Sequence, residues 1–274
     1  MNPLDSLPLV LVLVLATLTQ VFFIELGFRY GIRKGGTKAV KNQMAQVRAI
    51  MGASLGLLAF MLAFSFSMAQ QHFEQRTQAY MLEVSAIDSA FRGADLIPAD
   101  SRDEAKSVLI QFAEGRLALT KAAKEGDFDQ VIQMVRESER MHDRLWKIAE
   151  SAMEGSGGGE DTGIFAQSVL AMINAHDQRL QAALFNRVSP IIWLTLFLMS
   201  LLSMVVMGYQ AGLTGHRSGL ATWTLAITFS AVMTLITDLD RPNMTLFQMN
   251  QGLMVELDNR MQDEVNRDPV SRQP

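Results

Sequence analysis

Four stretches without a charged residue, 6–24, 49–73, 188–215 and 218–237, decide what this chain can fold into. They hold 19, 25, 28 and 20 residues. Crossing the hydrocarbon core of a bilayer takes about 20 mostly apolar residues, so each stretch can span once. In lipid every backbone N–H and C=O must be satisfied within the segment, and a helix does this for a single span. The expected fold is an all-α membrane protein with four transmembrane helices in two hairpins. The first hairpin is placed at 1–69, a helical extramembrane insert at 70–189, the second hairpin at 190–240 and a polar C-terminal tail at 241–274. The insert is expected to be continuous with the second and third spans.

Charge is distributed unevenly around these spans. The loop 29–48 holds Arg29, Arg33, Lys34, Lys38, Lys41 and Arg48 with no acid, and the short loop between spans three and four carries Arg217 beside His216. Residues 70–189 hold 13 bases and 19 acids, and the tail from Asp238 holds 4 bases and 7 acids. Lys and Arg in short loops mark the cytoplasmic side, so both termini and the insert are expected outside a plasma (inner) membrane, in a periplasm if the host has one. Residues 1–8 carry only Asp5 and do not read as a cleavable leader. With no cysteine, disulfides and thiolate metal sites are excluded.

Beyond the second span the apolar residues Phe73, Tyr80, Val84, Ile87, Phe91 and Ala94 keep helical spacing up to Pro98, which should end the helix. Ser101-Arg-Asp-Glu104 reads as a capping box opening a helix to about Ala123. Gly126-Asp127-Phe128-Asp129 reads as turn and cap for a helix to about Met153, and Gly155-Ser-Gly-Gly-Gly159 as a flexible linker. A last insert helix is expected over about 162–186. A weak repeat relates Gly27-Phe-Arg-Tyr-Gly-Ile32 to Gly208-Tyr-Gln-Ala-Gly-Leu213. Hairpin duplication would explain it, and so would the frequency of glycine at helix C-termini.

The second span carries two stripes. Gly52, Gly56, Ala59, Ala63 and Ser67 form a small-residue line that either packs as a helix seam or lets copies of the helix surround a pore. In the pore reading Phe60, Phe64 and Met68, with Ser67 beside them, are neck candidates that gate by dewetting. The fourth span places Ser230, Thr234, Thr237, Asp238 and Arg241 on one side, as an internal polar network or the wall of a hydrophilic path. Glu25 is expected to pair with Arg29 one turn on, in the favourable acid-first order. The histidines His72, His142, His176 and His216 form no metal pair, and His176-Asp177 reads as a polar surface position. No nucleophile motif or dinucleotide fingerprint is present. An enzyme is therefore not expected, nor a cofactor, and the acidic insert argues against nucleic acid.

Several runs resemble one known family. They are Gly56-Leu-Leu-Ala-Phe-Met-Leu-Ala-Phe-Ser-Phe-Ser-Met-Ala69 with His72-Phe-Glu-Gln-Arg76, then Glu83-Val-Ser-Ala-Ile87 leading to Phe91-Arg-Gly-Ala-Asp-Leu96, and Asp238-Leu-Asp-Arg-Pro242. Together they are similar to the bestrophin-like domains of unknown function, over most of the chain. The resemblance implies kinship to pentameric anion channels whose second helix lines a hydrophobic neck, with Phe60 and Phe64 the nearest equivalents of neck residues. It also implies cytoplasmic termini, opposite to the charge count, and orientation is taken from the charges. The expected function is thus an oligomeric ion channel in the lipid bilayer. The alternative is a non-transporting scaffold or sensor whose acidic insert binds a partner.

Overall fold

The computed structural model describes residues 7–34, 38–155, 159–215, 219–241 and 251–267. Lys38 and Lys41 lie in helix whose side chains there are not described, and Arg217, His216, Pro242 and the middle of the glycine linker lie outside the described residues. The chain is an all-α membrane protein. Its helices are α1 (Leu9–Lys34), α2 (Lys38–Gly93), α3 (Ala99–Glu125), α4 (Phe128–Gly155), α5 (Glu160–Phe185), α6 (Pro190–Thr214), α7 (Gly219–Asp240) and α8 (Gly252–Arg267). The helices α1, α2, α6 and α7 are each long and apolar enough to cross a bilayer. In α1 and α2 only 17% of the most apolar window is buried within the chain, which leaves apolar surface for lipid or for other copies.

Two compact units form. One contains the described residues up to Phe73 and from Arg187 to Arg241, and the other contains Glu74–Asn186 with the described residues from 251 onward. The helix α2 contributes to both. It is 56 residues long.

The first unit is built on a close crossing of α1 with α6. A Cβ on Gly27 would overlap the carbonyl oxygen of Val205, and one on Gly208 would overlap that of Ile24. One turn on, Gly31 meets Tyr209 and Gly212, while Gly212 meets Phe28 and Gly31. Contacts advance in the same direction along both helices, so α1 and α6 run parallel, in reciprocal register at an offset of 181 residues (27 to 208, 31 to 212). Small residues let membrane helices approach backbone to backbone, where packing replaces the missing hydrophobic drive. The two halves of the sequence repeat are therefore the two halves of one contact. Helix termination does not explain these glycines, since among the described residues only Gly126 and Gly215 have positive φ. Around this pair α2 and α7 pack through Leu58, Leu62, Leu196, Met233, Ile236 and Leu239.

The insert unit buries Ile87, Phe91, Leu109, Phe112, Leu145 and Phe165 among α2, α3, α4 and α5. Its base is closed where Arg76 Nη1 donates to the Asn186 carbonyl at 3.0 Å and Asn186 Nδ2 donates to Gln75 Oε1 at 2.8 Å. Asp127 caps α4 as expected, its Oδ1 accepting from the Gln130 N–H at 3.0 Å. The capping box at Ser101 does not form. The helix α3 starts two residues earlier because Pro98, extended at ψ 147, offers its carbonyl to the N–H groups of Ser101 and Arg102 at 3.0 and 2.9 Å. Ser101 is then inside the first turn.

The tail was expected only to be polar, yet residues 252–267 form α8, whose Met254, Leu257 and Met261 enter the insert core. The Met254 N–H donates to the Tyr80 hydroxyl at 3.1 Å. Lys106 on α3 joins Asp95 at 2.6 Å and Glu264 of α8 at 3.0 Å, with Nζ 4.7 Å from the centre of the Phe91 ring.

Candidate functional site

The membrane half of α2 has two unlike sides. Leu58, Leu62, Ser65 and Ala69 recur every three or four residues and are buried within the first unit. On the opposite side Gly52, Gly56, Ala59, Ala63 and Ser67 are exposed. A Cβ added at Gly52 or Gly56 would meet nothing within 4 Å. The small-residue stripe is therefore not a seam within one chain. Phe60 and Phe64, 65% and 52% exposed, stand on the same outward side. Met68 departs from them: the four-residue step drifts around the helix, and its side chain packs on the α6–α7 core. An outward face of glycine, alanine, phenylalanine and Ser67 offers close helix approach and bulky apolar side chains, without any ionisable group for chemistry.

The polar side of α7 faces inward. Ser230, Thr234, Thr237, Asp238 and Arg241 are all buried. Thr234 and Thr237 hydroxyls donate one turn back, to the Ser230 and Met233 carbonyls at 2.8 Å. Arg241 Nη1 donates to the Leu7 carbonyl at 2.8 Å, ahead of α1, and Asp240 Oδ1 accepts the Val188 N–H at 2.7 Å, ahead of α6. The Asp238–Arg241 segment thus ties the starts of two spans. Glu25 Oε1 accepts from Arg29 Nε at 2.9 Å on α1.

A constellation that the sequence reading missed lies in the insert. Glu83 of α2, fully buried, has Arg116 Nε of α3 3.0 Å from Oε1 and His176 Nδ1 of α5 2.9 Å from the same oxygen, while Arg179 Nη1 contacts Oε2. His176, expected on the surface, is 1% exposed. Its ring lies 4.7 Å from that of His142 on α4, and both rings contact Phe112. Burial pushes the Glu83 carboxyl up, but His176, Arg116 and Arg179 outweigh it and hold the pKa at about 2. Burial lowers Arg116 to about 10, against the pull of Glu83, and leaves it a cation at neutral pH. The signal was present in sequence: Glu83 falls on the apolar period of Tyr80, Ile87 and Phe91, where a charge needs buried partners. Among the described residues no group of three His, Cys, Asp or Glu side chains is placed to hold a metal ion.

Comparison with known proteins places this geometry in context. A family model described as a bestrophin-like domain matches residues 19–243. The fold is similar to a crystal structure of a mutated bacterial bestrophin homologue from Klebsiella pneumoniae, at 13% identity and a TM-score of 0.66, covering 94% of this chain and 99% of that one. A second mutated form of a Klebsiella pneumoniae homologue gives 13% identity and a TM-score of 0.63 over the same shares. A crystal structure described as a membrane protein is similar at 14% identity and a TM-score of 0.65, covering 96% of this chain and 100% of that chain. No curated protein matched by sequence. At such identities the structural likeness carries the fold.

Proposed function

Because the chain belongs to the bestrophin-like family, we propose that it assembles as a symmetric homo-oligomer, a pentamer by family resemblance, whose α2 helices surround an ion-conducting axis. The observation that carries this reading is the face of α2 bearing Gly52, Gly56, Phe60 and Phe64, turned away from its own unit while Leu58 and Leu62 bury the other side. In the ring, the small residues permit close approach of neighbouring helices. Phe60 and Phe64 form a hydrophobic neck that stops ions when it dewets, and Ser67 follows it. Anions are the proposed cargo. The acid-free loop 29–48 sets the orientation, with the insert and both termini outside the plasma membrane.

Purified protein in planar bilayers tests conduction. Phe64→Ala widens the neck and raises single-channel conductance severalfold over wild type; silent, well-folded oligomers would overturn the channel reading.

A second reading follows from the outward small-residue line, which also suits a lumenless seam between copies of a scaffold whose acidic insert docks a partner. Gly56→Leu should then reduce the oligomer to monomers on size exclusion with light scattering. An unchanged oligomer rules out that seam.

A further inference from the structure

We propose that His142 is a proton-operated switch within the insert: in acid its ring leaves the helical core and moves into the adjoining surface groove.

The ring stands between two unlike surroundings. Inward it meets His176 of α5 and Phe112 of α3, and behind them the Glu83 hub. The charges facing it from the packed helices are Glu83 of α2, Arg116 of α3, and His176 and Asp177 of α5. Both oxygens of Glu83 are already engaged, Oε1 by Arg116 and His176 and Oε2 by Arg179, so the nearest buried carboxylate is shared among three partners before His142 could use it. His142 Nε2 and His176 Nε2 are both buried without a hydrogen-bond partner, so no hydrogen bond through Nε2 holds the His142 ring inward. Outward, the same residue lines a groove of about 370 Å³ with Glu139, Asp143, Trp146, Lys147 and Glu150. The groove supplies carboxyl oxygens and water against one lysine. His142 is 7% exposed, so the proton has a short route from the groove to the ring.

Burial first, and then His176 and Arg116, lower the inward imidazole from 6.5 to about 4, although Asp177 and Glu83 oppose them. An outward ring in the wet groove recovers the ordinary value near 6.5. Acidification from well above 6.5 to well below 4 multiplies the outward-to-inward ratio by up to roughly 300, and the ring leaves in acid when its neutral bias inward is smaller than that factor. Glu83 stays ionised to about 2, so the ion-paired hub outlasts the movement and the insert remains folded while His142 leaves. The movement concerns the insert alone and holds whether or not the oligomer conducts.

Trp146 lines the same groove and reports the change. In full-length protein carrying Trp193→Phe and Trp223→Phe, Trp146 emission should follow a one-proton transition with its midpoint between pH 6.5 and about 4. The transition should vanish in His142→Gln and in His142→Phe. His142→Lys, charged throughout, should give at pH 7 the emission that wild type reaches only in acid. A structure determined below the midpoint should show the ring in the groove. The switch is overturned if the transition survives in whichever of the Gln and Phe variants folds, if no transition occurs, or if the ring in acid still stacks on His176.

Discussion

Gly208→Val should abolish a stable membrane unit, the largest effect expected from any single substitution in the spans. The first added carbon would lie on the carbonyl oxygen of Ile24 and 3.0 Å from the Phe28 nitrogen, both backbone atoms of α1 that cannot rotate away. Either the helices separate or α1 slides. Both lose the contact that the reciprocal glycines make, and overpacking against yielding side chains already costs about 1–3 kcal/mol. Against a total stability of about 5–15 kcal/mol, a larger backbone clash is decisive. The measurement is monodispersity and melting temperature in detergent. Gly52→Val, at a position with nothing within 4 Å, is the control that leaves the protomer folded. A Gly208→Val protein that elutes and melts like wild type would refute the crossing.

Glu83→Gln should be the most damaging conservative change in the insert. The amide keeps the shape and removes the charge that Arg116, Arg179 and His176 share. Breaking a buried ion pair from one side typically costs about 3–5 kcal/mol, because the remaining charge stays uncompensated. Thermal melts followed by circular dichroism should show the loss, and Glu83→Met with Arg116→Met together should cost less than Glu83→Gln alone. Acid gives the same result by titration. The folded pKa of about 2 lies below the ordinary 4.5, so the stabilisation is complete above pH 4.5 and is lost as pH falls through 2. Wild type should therefore weaken across that window, and Glu83→Gln should not.

The spans were legible because lipid imposes a simple requirement of length without charge, and α1, α2, α6 and α7 fall on the four uncharged stretches. The stripes of the second span were equally plain, since helical period alone sorts Gly52, Gly56, Ala59 and Ala63 from Leu58 and Leu62. What each stripe faces is a tertiary matter. Met68 stands one four-residue step beyond Phe64, yet the drift of that step turns it inward. The start of α3 went astray because a serine–glutamate spacing cannot displace a proline carbonyl three residues earlier. The Glu83 hub draws on three helices, and only the fold brings positions 83, 116, 176 and 179 together. Period alone could have marked Glu83 as a charge at a core position. The helix α8 was missed for a similar reason, since its three core methionine and leucine side chains sit among acids and amides.

The reciprocal glycine pairing also bears on the order of events during synthesis. Gly27 and Gly208 are separated by the whole insert, so the first span enters the bilayer and waits while the ribosome makes the extramembrane helices. At about 5–20 residues per second that delay lasts on the order of 10–40 s, long enough for most of a small helical domain to fold. The docking of α6 in the lipid then joins a nascent span to a partner laid down long before, and the insert is largely shaped when it happens.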